Sequence, residues 1–550
     1  MTLVDDHRPG LYWQSLMGNN DDGIGGNCHR YDLVTGESPE TLLHEHFLVD
    51  FGVKFGNGGR GYSAEFASPE GILARRDSGK VDGGGRAPEA LILTHAHEDH
   101  VGAIRHVLDM GYACPPVYAT AFTAAMLNKS LVDAGIARDR WPEIRIARCG
   151  DRVDIGHAKV EFVAVDHMPG ATALHIRSPE GSIFHTGDYR FDETLPLGDR
   201  ASPERLRAIG KEGVDMVVSD STSAVVRETP TSEAQICQNL SKLVADNEGR
   251  PITAGILGSQ LDRLVSLARA AKDNGRVVAV SGRSLASNVA AARMAGLDID
   301  AVAGTRILTA VESRAYPPEK VLMVTTGAFA QSNSGLVRAA HRQPGALDIG
   351  ENTTVIIPQR AIPAVRTSQS AMVAKLEQRG ARVMTAEKAV SAGYGAIHQS
   401  GHAVERDCKL LYSLLRPTGL VAPIHGDRKQ VGANSRLARS LGIPAVVLDR
   451  NGAVVRVAKD GISIVGTEDV ARIGARERAD AVKQLPRAPR GQGRDAHFPI
   501  AVYQYDRLDA SGGIVLKPDV HTVDGPVRPR PVRDAPKDVT VAVVAARRSR

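Results

Sequence analysis

Between Leu91 and Gly102 the sequence reads LILTHAHEDHVG, which places His95, His97, Asp99 and His100 within six residues. Imidazole nitrogen and carboxylate oxygen are donors that a borderline-soft divalent cation such as zinc accepts. A tight turn can aim the alternate imidazoles His95 and His97 at one ion while Asp99 and His100 face a second. Four donors cannot complete two coordination shells, so further ligands are expected where other strands end and their last side chains emerge at the same edge. VEFVAV ends in Asp166 and His167, SIFHT in Gly187 and Asp188, and LVAPI in His425 and Gly426. HFLVD ends in Asp50, an acid suited to orienting a ligand imidazole from behind. The five cysteines (Cys28, Cys114, Cys149, Cys237 and Cys408) are odd in number and form no CxxC pair, which points to reduced thiols and leaves any metal to histidine and carboxylate.

The elements around these residues follow an alternating pattern. From about residue 40 to 460, short apolar runs rich in β-formers alternate with helix-like stretches; ALIL precedes Thr94, and Val101, Ile104 and Leu108 share one face of the helix expected after His100. A chain of 550 residues has room for roughly three to five domains, and a composition of 42% hydrophobic and 24% charged residues excludes a largely disordered or collagen-like protein. No apolar run approaches the roughly 18 residues of a membrane span, and the acidic start MTLVDDHRPG lacks the pattern of a signal peptide, so a cytoplasmic protein with no membrane partner is expected. The net charge of +5 is too mild to identify a nucleic-acid binder by itself. PRAPRGQGR (486–494) and GPVRPRPVRDAPK (525–537) read as linker and basic tail.

In order, Asp50, the HxHxDH of residues 95–100, His167, Asp188 and His425 resemble the metallo-β-lactamase superfamily. The long interval between Asp188 and His425 marks an insertion. Asp220 in VVSDSTS, His402 in HQSGHA and His425 in APIHGD are similar to the acidic and two histidine motifs of the β-CASP nucleic-acid hydrolases. Within that group the chain resembles the bacterial ribonuclease J family, through HTGDYRFDETLP (185–196), SDSTS, GRSLASNV (282–289), TVIIPQRAIP (354–363), HQSGHA and PIHGD, over about residues 12–455.

The resemblance implies an α/β protein: a metallo-β-lactamase αββα sandwich in two parts (10–220 and 366–460), an inserted β-CASP α/β domain (221–365), and a small β-rich C-terminal region with its tail (461–550). It implies two divalent ions, zinc first and Mn²⁺ or Mg²⁺ as alternatives. His95, His97 and His167 would hold one, Asp99, His100 and His425 the other, and Asp188 would bridge them, with Asp50 behind a ligand. Two cations so placed can lower the pKa of a water and offset charge on a phosphodiester. Asp220 would position the nucleophile or an imidazole, and His402 would donate to the phosphate or the departing oxygen. Arg283, Ser284, Ser400, Gly401, His402, Ala403 and Val404 are the expected substrate contacts. The implied reaction is hydrolysis of single-stranded RNA, by 5′ to 3′ exonucleolytic cleavage, endonucleolytic cleavage or both. Alternatives are a relative acting on DNA or another phosphodiester, and a low-activity RNA-binding partner of a true ribonuclease. A homodimer or homotetramer and RNA-decay partner proteins are further expectations.

The chain departs from the family pattern in places. The family's HSIPE or HSIPD is HMPGA at 167–171, which costs no ligand. TGAFAQ (326–331) and GILGSQLDR (255–263) replace TGSQGE and a TFASN-type segment in the expected channel. Val404 stands where SGHAS would have a second serine, predicting a weakened pocket for a 5′-monophosphate. Residues 456–550 resemble the family's C-terminal domain only faintly, and a small β-rich oligomerisation module is expected there.

Overall fold

A computed structural model describes residues 8–475, apart from 20–23, 37–40, 56–63, 83, 362–364 and 449, together with the backbone of 502–508 and 514–519. Two sheets lie face to face. The first runs, in spatial order, Gly461–Thr467, Ala453–Ala458, Gly10–Met17, Cys28–Thr35, Leu43–Phe51, Leu91–Ile92, Val117–Ala119, Ile144–Ile146, Ile514–Asp519 and Val502–Leu508. The second runs Leu420–Ile424, Met216–Asp220, Ser182–His185, Thr172–Arg177, Ala158–Ala164 and Arg152–Ile155. Trp13, Tyr31 and Phe47 from the first sheet meet Phe162, Leu174 and Ile183 from the second in one apolar interior. Each such side chain, fully buried, contributes on the order of 1.5–3 kcal/mol.

Helices cover both outer faces, giving the αββα sandwich. The period-two alternation of strands decides which side chain goes where. In MVVSD, Met216 and Val218 face the inter-sheet interior, whereas Val217 faces Leu206, Ile209 and Leu411 of the outer helices Pro203–Glu212 and Glu405–Leu415. That strand is buried at all five positions, as expected for a parallel strand covered on both sides. On the far face of the first sheet, Leu48, Leu91 and Leu93 pack against Ile104, Val107 and Leu127.

The chain leaves this sandwich after Asp220 and returns to it with the outer helix Glu405–Leu415, after which Leu420–Ile424 pairs in parallel with Met216–Asp220. The insertion forms its own parallel sheet, in the order Ile307–Thr309, Val277–Val280, Val321–Thr326, Ile252–Ile256, Thr354–Ile357 and Arg382–Thr385. The boundary expected at residue 365 therefore falls too early: helix Arg366–Gln378 is the crossover that carries the chain to Arg382–Thr385, hydrogen-bonded to Thr354–Ile357. Parallel neighbours need such a crossover, so the domain cannot close before its last strand.

The C-terminal expectation also changes. A boundary at 460 cuts the antiparallel pair Ala453–Ala458 and Gly461–Thr467, and Arg472–Ala475 pairs with Ala64–Ala67. Ile514–Asp519 adds to Ile144–Ile146 at the end of the first sheet. The described strands after 460 thus extend existing sheets, whose edges offered unpaired backbone groups. The linker at 486–494 and the basic tail at 525–537 lie outside the described residues. Among the described residues no helix is long and apolar enough to cross a membrane.

Candidate metal centre

Strand register brings together residues far apart in sequence. Pairing Asp220 with Ile424 sets Asp220 beside His425, and pairing His185 with Val218 brings the turn that carries Asp188 to the same edge. Across the sandwich, Leu48 and Val49 pair with Leu91 and Ile92, so Asp50 ends level with Leu93 and within reach of Thr94. Asp50 and His425 both have positive φ, 60° and 55°. Asp and His are among the residues that tolerate this region, and strain of this kind persists where surrounding bonds hold it. The helix expected after His100 starts earlier, at Glu98, so Asp99 and His100 occupy its first turn, and the helix breaks before a second segment at Ile104–Asp109. Gly52 permits this approach: a Cβ there would stand 1.7 Å from the Asp99 carbonyl oxygen.

The first donor group is His95, His97, His167 and Asp188. His97 Nδ1 lies 3.1 Å from His95 Nε2 and 3.1 Å from His167 Nε2. Asp188 Oδ2 lies 3.5 Å from His95 Nε2 and 3.6 Å from His167 Nε2. Metal–nitrogen bonds of about 2.0–2.1 Å in a tetrahedron put ligand atoms about 3.3–3.4 Å apart, so these donors are spaced to share one ion. Burial and neighbouring imidazoles lower the pKa of His95, while burial is the leading cause for His97 and His167, the last reaching about 3. All three are held neutral, the form that ligates.

The second group is Asp99, His100 and His425, with Asp188 within reach. Asp99 Oδ2 lies 3.2 Å from His425 Nε2 and 3.8 Å from His100 Nε2. Asp188 approaches His425 Nδ1 through Oδ1 at 3.2 Å and His100 Nε2 through Oδ2 at 3.4 Å, so it stands between the two groups. Burial lowers the pKa of His100 and His425, but the facing carboxylates, Asp188 foremost, outweigh it and raise both, His425 to about 10. The carboxylates of Asp99 and Asp188 facing these rings make the cluster a place that favours positive charge, and together with the spacing this fits divalent cations.

Supporting contacts fix the rings. His100 Nδ1 lies 2.7 Å from Asp50 Oδ2, while Asp50 also accepts from the Thr94 backbone N–H and hydroxyl, both at 2.8 Å. His167 Nδ1–H donates to the Gly401 carbonyl at 2.7 Å. Asp220 Oδ2 pairs with His402 Nδ1 at 2.9 Å, and its Oδ1 lies 3.3 Å from His425 Nδ1. Side-chain exposure is 19% at His402 and 24% at Asp99 but 3% or less at His100, His167, Asp188 and His425, so the first two mark the open side. His402, Asp188, Asp220 and His425 also form a third possible donor group, so proximity alone does not separate His402 from the ligands.

The expected substrate contacts divide. Arg283 and Ser284 are exposed at the start of helix Arg283–Met294, preceded by Gly282 at φ 97°. Ser400 Oγ meets Ser223 Oγ at 3.0 Å. Ala403 and Val404 are 0% and 1% exposed, so the expectation that Val404 walls an end pocket is not met: it packs inward as the residue before helix Glu405–Leu415. Asp166 turns from the metal groups and accepts from Asp192 and Ala201 N–H. Sequence reasoning missed Thr94, Asn27, whose Nδ2 lies 3.0 Å from His100 Nε2, and Thr222, whose Oγ1 lies 3.0 Å from His425 Nδ1. Thr94 and Thr222 adjoin the motifs, but Asn27 carries no local signal.

Comparison with known proteins places this geometry in a class. Residues 59–282 match the metallo-beta-lactamase superfamily, and residues 248–376 match the ribonuclease J beta-CASP domain. A ribonuclease J from Sinorhizobium meliloti is 33% identical over 70% of this chain and 66% of its own length. One from Corynebacterium glutamicum is 31% identical over 76% of this chain and 56% of its own length. One from Mycobacterium tuberculosis is 31% identical over 70% of this chain and 67% of its own length. The chain belongs to the ribonuclease J family, and the match spans about two thirds or less of these relatives' lengths. A solved structure of an Enterococcus faecalis V583 protein of unknown function shares the fold, with a TM-score of 0.56 at 17% identity, covering 81% of this chain and 100% of that one.

Proposed function

We propose that the chain is a metal-dependent phosphodiesterase that hydrolyses single-stranded RNA, as a 5′ to 3′ exonuclease, an endonuclease or both. The observation that carries this reading is the convergence of seven His and Asp donors in two groups, with Asp188 a member of the first and 3.4 and 3.2 Å from His100 and His425 of the second, open to solvent beside His402 and Asp99. His95, His97 and His167 would hold one ion, Asp99, His100 and His425 the other, with Asp188 between them. Mixed nitrogen and oxygen donors suit Zn²⁺ first, with Mn²⁺ or Mg²⁺ as alternatives. When bound, two such ions lower the pKa of a water and offset charge on the phosphodiester.

The chain's own residues do the rest. Asp50 and the Gly401 carbonyl orient His100 and His167. Asp220 accepts the His402 Nδ1 proton, which leaves Nε2 for a phosphate oxygen or the departing oxygen. Arg283 and Ser284, exposed at a helix start, supply phosphate contacts. The complete donor set favours an enzyme over an RNA-binding partner without turnover.

The deciding experiment compares metal-dependent cleavage of end-labelled RNA carrying 5′-triphosphate, monophosphate or hydroxyl with cleavage of matched DNA. Two ions per chain with RNA cleavage lost in Asp188→Ala upholds the reading. RNA binding without turnover overturns it in favour of the partner role, and preferential cleavage of DNA overturns the assignment of substrate.

A further inference from the structure

Residues 395–400, which lead into Gly401 and His402, form no helix or strand, so their backbone carbonyls need donors from elsewhere. The inserted domain and the sandwich supply them in series. Asn239 Nδ2 donates to the Ala396 carbonyl at 2.8 Å, Arg263 Nη1 to Ile397 at 2.6 Å, and Arg190 Nη1 to Ser400 at 3.5 Å. Arg263 is 4% exposed, in helix Leu261–Asp273, and Nη1 also donates to the Pro358 carbonyl at 2.9 Å. Its Nε and Nη2 bind Glu233 Oε1 and Oε2 at 2.8 and 3.0 Å. Glu233 in turn accepts from Ser266 Oγ at 2.7 Å, and its own N–H donates to Asp192 Oδ2 at 2.9 Å. A planar guanidinium can grip a carboxylate with one edge and carbonyls with the other; an ammonium cannot do both in fixed geometry.

We propose that Arg263, locked by Glu233, is a positioning residue for the metal centre: it fixes the loop from Ile397 to His402, so that the Gly401 carbonyl holds His167 and His402 stays on Asp220. Arg263 itself touches no metal donor: its hydrogen bonds go to Glu233, Pro358 and Ile397, and its reach toward the donors runs through that loop. The proposal rests on the reading of the metal groups given above, and its first test does not require the nuclease reading.

The test is a cobalt(II) titration of the full chain followed by visible absorption, on the parent, Arg263→Lys and Arg276→Lys. Arg276 is the control: it is 6% exposed and grips the carbonyls of Arg250, Glu319 and Asn247 at 2.9, 2.6 and 2.6 Å, in the same domain but away from the loop. Arg263→Lys is expected to weaken one of two ions by about tenfold to a hundredfold, the usual cost of losing an outer partner, while Arg276→Lys titrates like the parent. Equal behaviour of the two variants, whether both weakened or both unchanged, overturns the proposal. If Arg263→Lys does not fold, the double variant Glu233→Gln/Arg263→Gln, which leaves no unpaired charge, carries the same expectation, and a parent-like titration overturns it. On RNA, Arg263→Lys should cost less in a His402→Ala background than in the parent; fully additive losses overturn the His402 half. A parent that takes up two ions yet cleaves no RNA removes the nuclease reading and leaves the titration result standing.

Discussion

Replacing Asp50 with Asn isolates the work of one carboxylate, because Asn tolerates the positive φ of 60° about as well as Asp and the buried shape is kept. Asp50 accepts three contacts at 2.7–2.8 Å, from the Thr94 N–H, the Thr94 hydroxyl and His100 Nδ1. An amide has one acceptor oxygen. With that oxygen on the Thr94 N–H, the NH₂ faces His100 Nδ1 and drives the ring's proton to Nε2, the nitrogen that faces Asp99 and Asp188. With the amide reversed, its NH₂ faces the Thr94 N–H and a buried donor loses its partner. Either arrangement costs about 1–3 kcal/mol, or roughly fivefold to 150-fold in the affinity of the ion that His100 serves. Competition with a metal chelator measures it: one of two ions should weaken in Asp50→Asn, the other should keep its affinity, and excess metal should restore cleavage. Two ions bound at parent affinity would show that Asp50 does not set the His100 proton.

Asp188→Ala should lose both ions and all hydrolysis while RNA binding persists, whereas His95→Ala should disturb one ion; elemental analysis with RNA-binding measurements checks this, and two retained ions with near-normal turnover would refute it. His402→Ala should slow cleavage by about 100-fold to 1000-fold at unchanged ion content. Equal ion loss in His402→Ala and His425→Ala would instead make His402 a ligand, as its place in the third donor group allows. Burial first, then Glu233, pushes the Asp262 carboxyl up to about 7 from its usual 3.8. The folded state therefore binds this proton more tightly than the unfolded one, so the contribution is full below about pH 4 and lost as pH rises through 7. Asp262→Asn should flatten that fall in chemical denaturation series; parallel curves for parent and variant would refute the assignment.

Legibility differed between the site and its surroundings for a physical reason. The donors were readable because metal binding demands particular atoms, and a strand end puts them in a repeated context: HxHxDH after ALIL, His167 after VEFVAV, Asp188 after SIFHT, His425 after LVAPI. The alternation of short apolar runs with helix-like stretches also carried the α/β class. The sequence did not reveal that a strand at Arg382–Thr385 still belonged to the insertion, because RVMT reads alike whether its partner is in one sheet or another and only hydrogen-bond register assigns it. It likewise placed Val404 by analogy with a hydroxyl, whereas the side chain is buried at the start of helix Glu405–Leu415. Asn27 reaches His100 across 73 residues, and Arg263 reaches Ile397 across 134. Such contacts satisfy buried groups that meet only once distant segments of the chain have folded together, so no local pattern announces them. The chemistry was thus set by residue type and spacing along the chain, while the orientation of each ring was decided by tertiary partners, because a hydrogen bond depends on where its acceptor lies in space.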